Sequence, residues 1–192
     1  MIDYARNELA GFDWAMNSGW CTAPSRSIVI GNFNSDGRAD MACHDTNTGH
    51  RWLDYADAVG GFQGPVWNSQ SGYRRGGGSF CKGGNKTVYA ADLSGNALDD
   101  MICHDSWTGS VAIDYALTVA EARGYNGAPR TTELRGSEFW FANYFNEISF
   151  CNAQDAHLLI GRLPAGTTRS GDSLYCHNSA TGHQVGRYNF DD

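Results

Sequence analysis

The chain contains the segment Gly31-Asn-Phe-Asn-Ser-Asp-Gly-Arg-Ala-Asp-Met-Ala-Cys-His44 and repeats it as Ala91-Asp-Leu-Ser-Gly-Asn-Ala-Leu-Asp-Asp-Met-Ile-Cys-His104. A stretched third copy runs from Gly161-Arg-Leu-Pro to Tyr-Cys-His177. Each copy follows an earlier cysteine and precedes a Thr-Gly turn. A marker of the type Leu53-Asp-Tyr-Ala56 comes next, and it also stands at the N-terminus as Ile2-Asp-Tyr-Ala5. The Cys-His pairs recur after 60 and then 73 residues, which is long enough for one multistranded unit per repeat.

Short apolar runs between turn residues predict β-strands in each copy. Ser27-Ile-Val-Ile-Gly-Asn-Phe33 is β-branched and apolar, and Asp40-Met-Ala-Cys-His44 resumes as a strand after a turn. A second turn, Thr46-Asn-Thr-Gly49, leads to Arg51-Trp-Leu-Asp-Tyr55, and a fourth strand is placed around Val66-Trp67 or in the run into the next cysteine. We expect an all-β fold of three tandem four-stranded antiparallel repeats that resemble propeller blades.

The repeat boundaries predict a single domain over residues 1–192. Repeat one covers about 21–80, repeat two about 81–150 and repeat three 151–192, with residues 1–20 completing the last repeat. Three blades are fewer than the four to eight that usually close a propeller. Three alternatives are therefore left open. The N-terminal segment could close a ring of wide wedges, two chains could assemble, or the chain could be a piece of a longer array.

Composition and charge exclude several classes of protein. The net charge of −7 argues against a nucleic-acid partner, because phosphate backbones are bound by clustered Lys and Arg. No apolar run approaches the roughly 18 residues that a membrane helix needs, so we expect no membrane insertion. No signal peptide is visible at Met1, which leaves a mature secreted chain or a cytosolic protein.

The cysteines decide between these two settings. Two fall in each repeat, and repeat symmetry favours bridges that each close a loop worth roughly 3 kcal/mol, namely Cys21 with Cys43, Cys81 with Cys103, and Cys151 with Cys176. Buried thiols packed as small apolar side chains are the alternative. Disulfides imply an oxidising compartment, so the chain is predicted to be secreted or extracellular.

The first turn of repeat one carries oxygen side chains at alternate positions. Asn32, Asn34, Asp36 and Asp40 surround Gly37, where the chain must turn sharply. A calcium ion takes six to eight oxygen ligands, and a loop with this spacing can encircle it. The glutamate at position 12 of a helical EF-hand is missing, so the pattern predicts a strand-loop-strand calcium site. An Asn- and Gly-rich turn without metal is the alternative.

Repeat one resembles the FG-GAP or VCBS repeat, which occurs in the propellers of integrin alpha-subunits and in secreted lectin-like proteins. In that family the phrase Asp-x-Asn-x-Asp-Gly-x-x-Asp lies between the first two strands of a blade and holds calcium. The resemblance covers nearly the whole chain in its repeat architecture, but it is close in detail only in repeat one. It implies as calcium ligands Asn32, Asn34, Asp36, the carbonyl oxygen of Arg38, and Asp40.

Repeats two and three depart from this pattern. Repeat two has donors at the same positions, namely Asp92, Ser94, Asn96, Leu98 through its carbonyl oxygen, and Asp100. However, Ala97 replaces the sixth-position glycine, where a Cβ disfavours left-handed backbone geometry, so metal binding there is left open. Repeat three has Arg162 and Pro164 where ligands should stand, and we expect no metal in it.

The recurring histidines are interpreted as parts of the scaffold. His44, His104 and His177 each follow a cysteine, and adjacent side chains in a strand point to opposite faces. A Cys-His pair in a strand therefore cannot close on one ion. No Gly-x-Ser-x-Gly, His-Glu-x-x-His or phosphate-loop motif occurs, so no catalytic residue is assigned and an enzyme is the weaker hypothesis.

Two tryptophans are the candidate ligand contacts. Trp107 stands in a turn where the other repeats have Asn47 and Ala180, and Trp140 lies in an aromatic insertion. Flat rings suit sugars, and repeated weak sites gain avidity on a glycan. We therefore expect a non-catalytic, calcium-binding module that recognises carbohydrate or a cell surface. A structural or protein-protein adhesion module is the alternative, a hydrolase comes last, and a homo-oligomer is left open.

Overall fold

The computed structural model describes residues 19–34, 36–59, 61–68, 80–117, 133–134, 139–141, 151, 155–162 and 171–187. All regular structure in these ranges is β-strand, which confirms the predicted all-β class. The strands are β1 Arg26–Gly31, β2 Asp40–Asp45, β3 Arg51–Ala56, β4 Phe62–Asn68, β5 Lys86–Ala91, β6 Asp100–Asp105, β7 Val111–Asp114, β8 Ala116–Leu117, β9 Glu133–Leu134, β10 Phe139–Phe141, β11 Ala156–Arg162, β12 Asp172–Asn178 and β13 Gln184–Arg187.

The strands form separate antiparallel sheets, one for each repeat and one small pair. Their strand orders are β1-β2-β3-β4, β10-β7-β6-β5, β11-β12-β13 and β8-β9. The second sheet takes its fourth strand from a distant segment, and the third sheet has three strands within the described ranges. The sheets therefore do not form three uniform four-stranded repeats, and the described residues show no closed ring.

The first hairpin of each sheet has the same register, which fixes the equivalent positions. Arg26 pairs with Asp45, and Lys86 pairs with Asp105 in the same way. In the third sheet Ala156 pairs with Asn178, so Asp172 is equivalent to Ala39 and Asp99. Ser173, and not Asp172, therefore holds the position of Asp40 and Asp100.

Consecutive sheets pack against each other through two apolar cores. The core between repeats one and two includes Val29, Leu53, Val88 and Met101. The core between repeats two and three consists of Ala91, Leu93, Ile102, Val111, Ile113, Cys151, Leu158, Leu174 and Cys176. Each buried aliphatic side chain of this size stabilises the fold by about 1.5–3 kcal/mol. Both described cores therefore join neighbouring repeats.

The three disulfides are present as repeat symmetry predicts. They join Cys21 to Cys43, Cys81 to Cys103 and Cys151 to Cys176, and no cysteine is free. The first cysteine of each bridge has a positive φ of 57°, 53° or 60°. None of the described residues forms a helix that is long and apolar enough to cross a membrane.

Candidate functional site

The turn between β1 and β2, residues 32–40, is loop one. Gly37 has a φ of +77°, which glycine adopts without a Cβ penalty. The Asn34 side-chain oxygen accepts from the Asp36 amide at 3.0 Å, and Asp36 accepts from the Arg38 amide at 2.8 Å. The Arg38 guanidinium also lies 2.7 Å from the Asp36 carboxylate. Asn34, Asp36 and the Arg38 carbonyl are thus the oxygen ligands that loop one could offer to a metal ion at the surface.

Asp40 lies on the other side of loop one, where it is fully buried. Its two carboxylate oxygens accept from the amides of Phe33 and Ala56, each at 2.9 Å. Burial raises the pKa of Asp40, and these two hydrogen bonds oppose that rise. Asp40 therefore ties the turn to the end of β3, and only its remaining lone pairs could reach a metal.

The turn between β5 and β6, residues 92–100, is loop two, and it keeps the backbone shape of loop one. Ala97 adopts a φ of +67° at the position of Gly37, despite its Cβ. The Asp92 carboxylate accepts from the amides of Asn96 and Ala97 at 3.0 and 3.1 Å. The Ser94 hydroxyl oxygen is buried and has no hydrogen-bond partner among the described residues. An unsatisfied buried oxygen at a predicted ligand position suits a cation ligand.

Asp100 brings a second carboxylate to loop two. It is fully buried and accepts from the amides of Leu93, Ser94 and Ala116. Desolvation raises the pKa of Asp100 to about 7, and the charge of Asp92 adds to that rise. Two carboxylates that repel each other in a buried turn would both be stabilised by a divalent cation. Loop two therefore has the charge for a hard metal ion, but both carboxylates accept backbone hydrogen bonds and, like Asp40, could use only their remaining lone pairs.

The two loops also join the repeats through aspartates that the sequence did not single out. The Asn32 amide donates to the Asp99 carboxylate at 2.6 Å, and the Asp99 amide donates back to the Asn32 carbonyl at 2.8 Å. In the same arrangement the Asp92 amide donates to the Asp172 carboxylate at 3.1 Å, and the Asp172 amide donates to the Asp92 carbonyl. We call each such pair an aspartate bridge. Asn32 is thus engaged with repeat two as well as with loop one.

The histidines that follow the cysteines also connect neighbouring repeats. His44 Nε2 lies 2.9 Å from the Phe80 carbonyl oxygen, and His104 Nε2 lies 2.9 Å from the Cys151 carbonyl oxygen. Since a carbonyl only accepts, Nε2 carries the proton in both rings. Burial lowers the pKa of both histidines, so they are held neutral. This geometry gives His44 and His104 a role in holding repeats together.

Trp107 lies on the surface as the sequence predicted. Its side chain is 78% exposed at the tip of the turn between β6 and β7. The Asp105 carboxylate accepts from the amides of Trp107 and Thr108 and so fixes the turn. Trp140 belongs to β10 and pairs with Ala112, but its side chain lies outside the described part of the chain. Only Trp107 of the two predicted contacts can therefore be placed on the surface.

Comparison with known proteins identifies no family for this chain. No protein-family model, curated protein or solved structure matches the chain. Within the described ranges no three His, Cys, Asp or Glu side chains cluster closely enough to hold a metal by themselves. The predicted calcium loops would have to rely on amide, hydroxyl and carbonyl oxygens in addition to two carboxylates each.

Proposed function

We propose that the chain is a non-catalytic recognition module that binds carbohydrate on secreted or cell-surface glycans. The exposed ring of Trp107 on a turn fixed by Asp105 carries this proposal. A tryptophan side chain has only two rotatable bonds, so it loses little entropy on stacking against a sugar. The buried His44 and His104 are bound to backbone carbonyls, which leaves them no role in acid-base chemistry.

Calcium in the loops is the second part of the proposal. Loop two supplies Asp92, Ser94, Asn96 and Asp100, and the orphaned Ser94 hydroxyl supports a ligand there. In loop one the Arg38 guanidinium pairs with Asp36 and competes with a metal ion for that carboxylate. The ion would stabilise the turns and the aspartate bridges beside them. We infer on the same grounds that the repeats are FG-GAP or VCBS-type blades of a secreted protein, a location with which three disulfides are compatible.

A glycan array probed with the folded, oxidised protein tests the recognition proposal. We expect binding to a restricted set of glycans, and Trp107→Ala should weaken it at least tenfold. Val59→Ala is the matched control, since Val59 is also a highly exposed apolar side chain in a turn. Wild-type protein that binds no glycan, or binding that Trp107→Ala leaves unchanged, would contradict the proposal.

A structural or adhesion module is the second candidate. Exposed Ile28, Ile30 and Leu159 favour it, because such side chains often mark protein contacts. Protein association that survives Trp107→Ala, with no glycan binding, would select this alternative.

A further inference from the structure

The interfaces between repeats show which strand positions a neighbour covers. Side chains on β1, β5 and β11 alternate between two faces. Val29 packs in one core with Val88 and, at its edge, Ala90, which are the equivalents of Ile28 and Ile30. One face of the first strand in each repeat thus contacts the preceding repeat, and the opposite face contacts the following repeat.

The next interface repeats this arrangement. Tyr89, the equivalent of Val29, packs against the core that contains Leu158 and, at its edge, Ile160. Leu158 and Ile160 are the equivalents of Ile28 and Ile30. The contact is therefore heterologous, because different faces of the two neighbours meet.

The array presents an uncovered face at each end. Ile28 and Ile30 are 51% and 54% exposed, although Val88 and Leu158, both equivalents of Ile28, are only 8% and 5% exposed. At the other end Leu159 is 51% exposed, although its equivalent Val29 is 7% exposed. The two end faces have the chemistry of two surfaces that already bind each other twice within this chain.

The remaining contacts of repeat one agree with this pattern. Phe80 and Cys81 are fully buried beneath repeat one, and Phe80 accepts the hydrogen bond of His44. Their equivalents Trp20 and Cys21 are only partly buried. Within the described ranges the imidazole of His177, which holds the position of His44 and His104, makes no hydrogen bond. A third repeat packed before repeat one would cover Trp20 and Cys21 and bring its own His177 towards them.

We propose that a second copy of this chain occupies these faces, with repeat three of each copy packed on repeat one of the other. Ile28 and Ile30 of each copy then contact Leu159 of the other copy, so the dimer contains two identical interfaces. Two chains of three repeats supply six blades, which lies within the four to eight of known propellers. This proposal is independent of glycan and calcium binding.

The interface between copies is weaker than the internal ones. The aspartate bridge uses Asp99 and Asp172, and their equivalent in repeat one is Ala39, which has no carboxylate. The dimer therefore lacks these charge-assisted hydrogen bonds and should dissociate on dilution. An obligate dimer would not show this behaviour.

Sedimentation velocity between about 1 and about 200 µM protein tests the proposal. We expect a reversible monomer-dimer equilibrium. Ile30→Lys and Leu159→Glu should each weaken dimerisation at least tenfold, because each places an unpaired charge in both interfaces. An equimolar mixture of the two variants should restore the dimer, since the introduced lysine and glutamate meet in one interface and the other is unaltered. Val59→Lys, on a more exposed residue in the turn after β3, should change nothing.

Three outcomes would overturn the proposal. One is a wild-type chain that stays monomeric over the whole range, and another is a dimer insensitive to both substitutions. The third is a monomer whose melting temperature falls with each single variant and recovers when both are placed on one chain. That result would show that repeats one and three meet within a single molecule.

Discussion

The guanidinium of Arg51, on β3 of repeat one, pairs with the carboxylate of Asp114, on β7 of repeat two, and both side chains are buried. The Arg51 guanidinium carbon also lies 4.4 Å from the centre of the Phe80 ring. Asp54 is equivalent to Asp114, but among the described residues its carboxylate accepts from the Gly64 amide and pairs with no cation. Burial raises the pKa of Asp54, and the Gly64 hydrogen bond opposes that rise.

This difference predicts unequal losses of stability for two matched substitutions. Asp114→Asn leaves the buried Arg51 charge uncompensated and should lower the free energy of unfolding by about 3–5 kcal/mol. Asp54→Asn removes an unpaired buried carboxylate and should change it by less than about 1 kcal/mol. Urea denaturation at neutral pH measures both. Equal losses in the two variants would show that the Arg51–Asp114 ion pair adds nothing to the free energy of unfolding.

Ala97 and Gly37 give a second matched pair. Ala97→Gly relieves a left-handed alanine, and after the entropy cost of glycine it should raise the free energy of unfolding by about 0.5–1 kcal/mol. Gly37→Ala should lower it by about 1 kcal/mol. A Cβ at Gly37 meets no atom within 4 Å, so this loss reports backbone strain alone. Thermal unfolding of the two variants checks the signs, and two changes of the same sign would contradict the assignment.

The neutral histidines predict an acid-sensitive contact between repeats. The pKa of His44 is lowered in the fold, so the unfolded chain takes up a proton first. The stability that His44 contributes is therefore complete above pH 6.5 and is lost as the pH falls below it, by up to about 1.4 kcal/mol per pH unit.

His44→Gln should remove this part of the pH dependence, measured as the difference from wild type between pH 7.5 and pH 5. The difference isolates His44, because the buried aspartates are common to both proteins. His157→Gln, on an exposed side chain of β11, is the control and should follow the wild type. A wild-type profile retained in His44→Gln would contradict the prediction.

Calcium should stabilise the oxidised protein, with a dissociation constant of about 10⁻⁵ to 10⁻³ M. At 100 times that constant the gain is about 2.7 kcal/mol per site. Ser94→Ala should leave the metal-free protein as stable or more stable, since it deletes an unsatisfied hydroxyl, but it should weaken calcium binding.

Asp36→Ala reports on loop one in the same titration, so the two variants show which loop holds the ion. Isothermal titration calorimetry and melting temperatures with and without chelator measure both effects. A melting temperature indifferent to calcium and chelator would make both loops simple turns.

The sequence predicted the repeats, the first hairpin of each and the disulfide pairs, because these depend on local spacing. It did not predict that Asp40 faces inward, since the same aspartate suits a metal ligand and a backbone acceptor equally well. It did not place Asp172 in an aspartate bridge, because the longer loop of repeat three hides the register that pairs Asp172 with Arg162. Arg51 and Asp114 were not paired, because the positions equivalent to Arg51 in the other two sheets hold Val111 and Gln184, so the repeat gives no signal for this contact.

Every disulfide stays inside its own repeat, so no disulfide links one repeat to the next. A repeat gained or lost by duplication or deletion of the gene segment would bring or remove its own complete bridge. Oxidative folding of such a lengthened protein would face no new pairing problem beyond choosing the nearer partner. The number of repeats in this architecture is thus free to change in evolution while each unit keeps its cross-link.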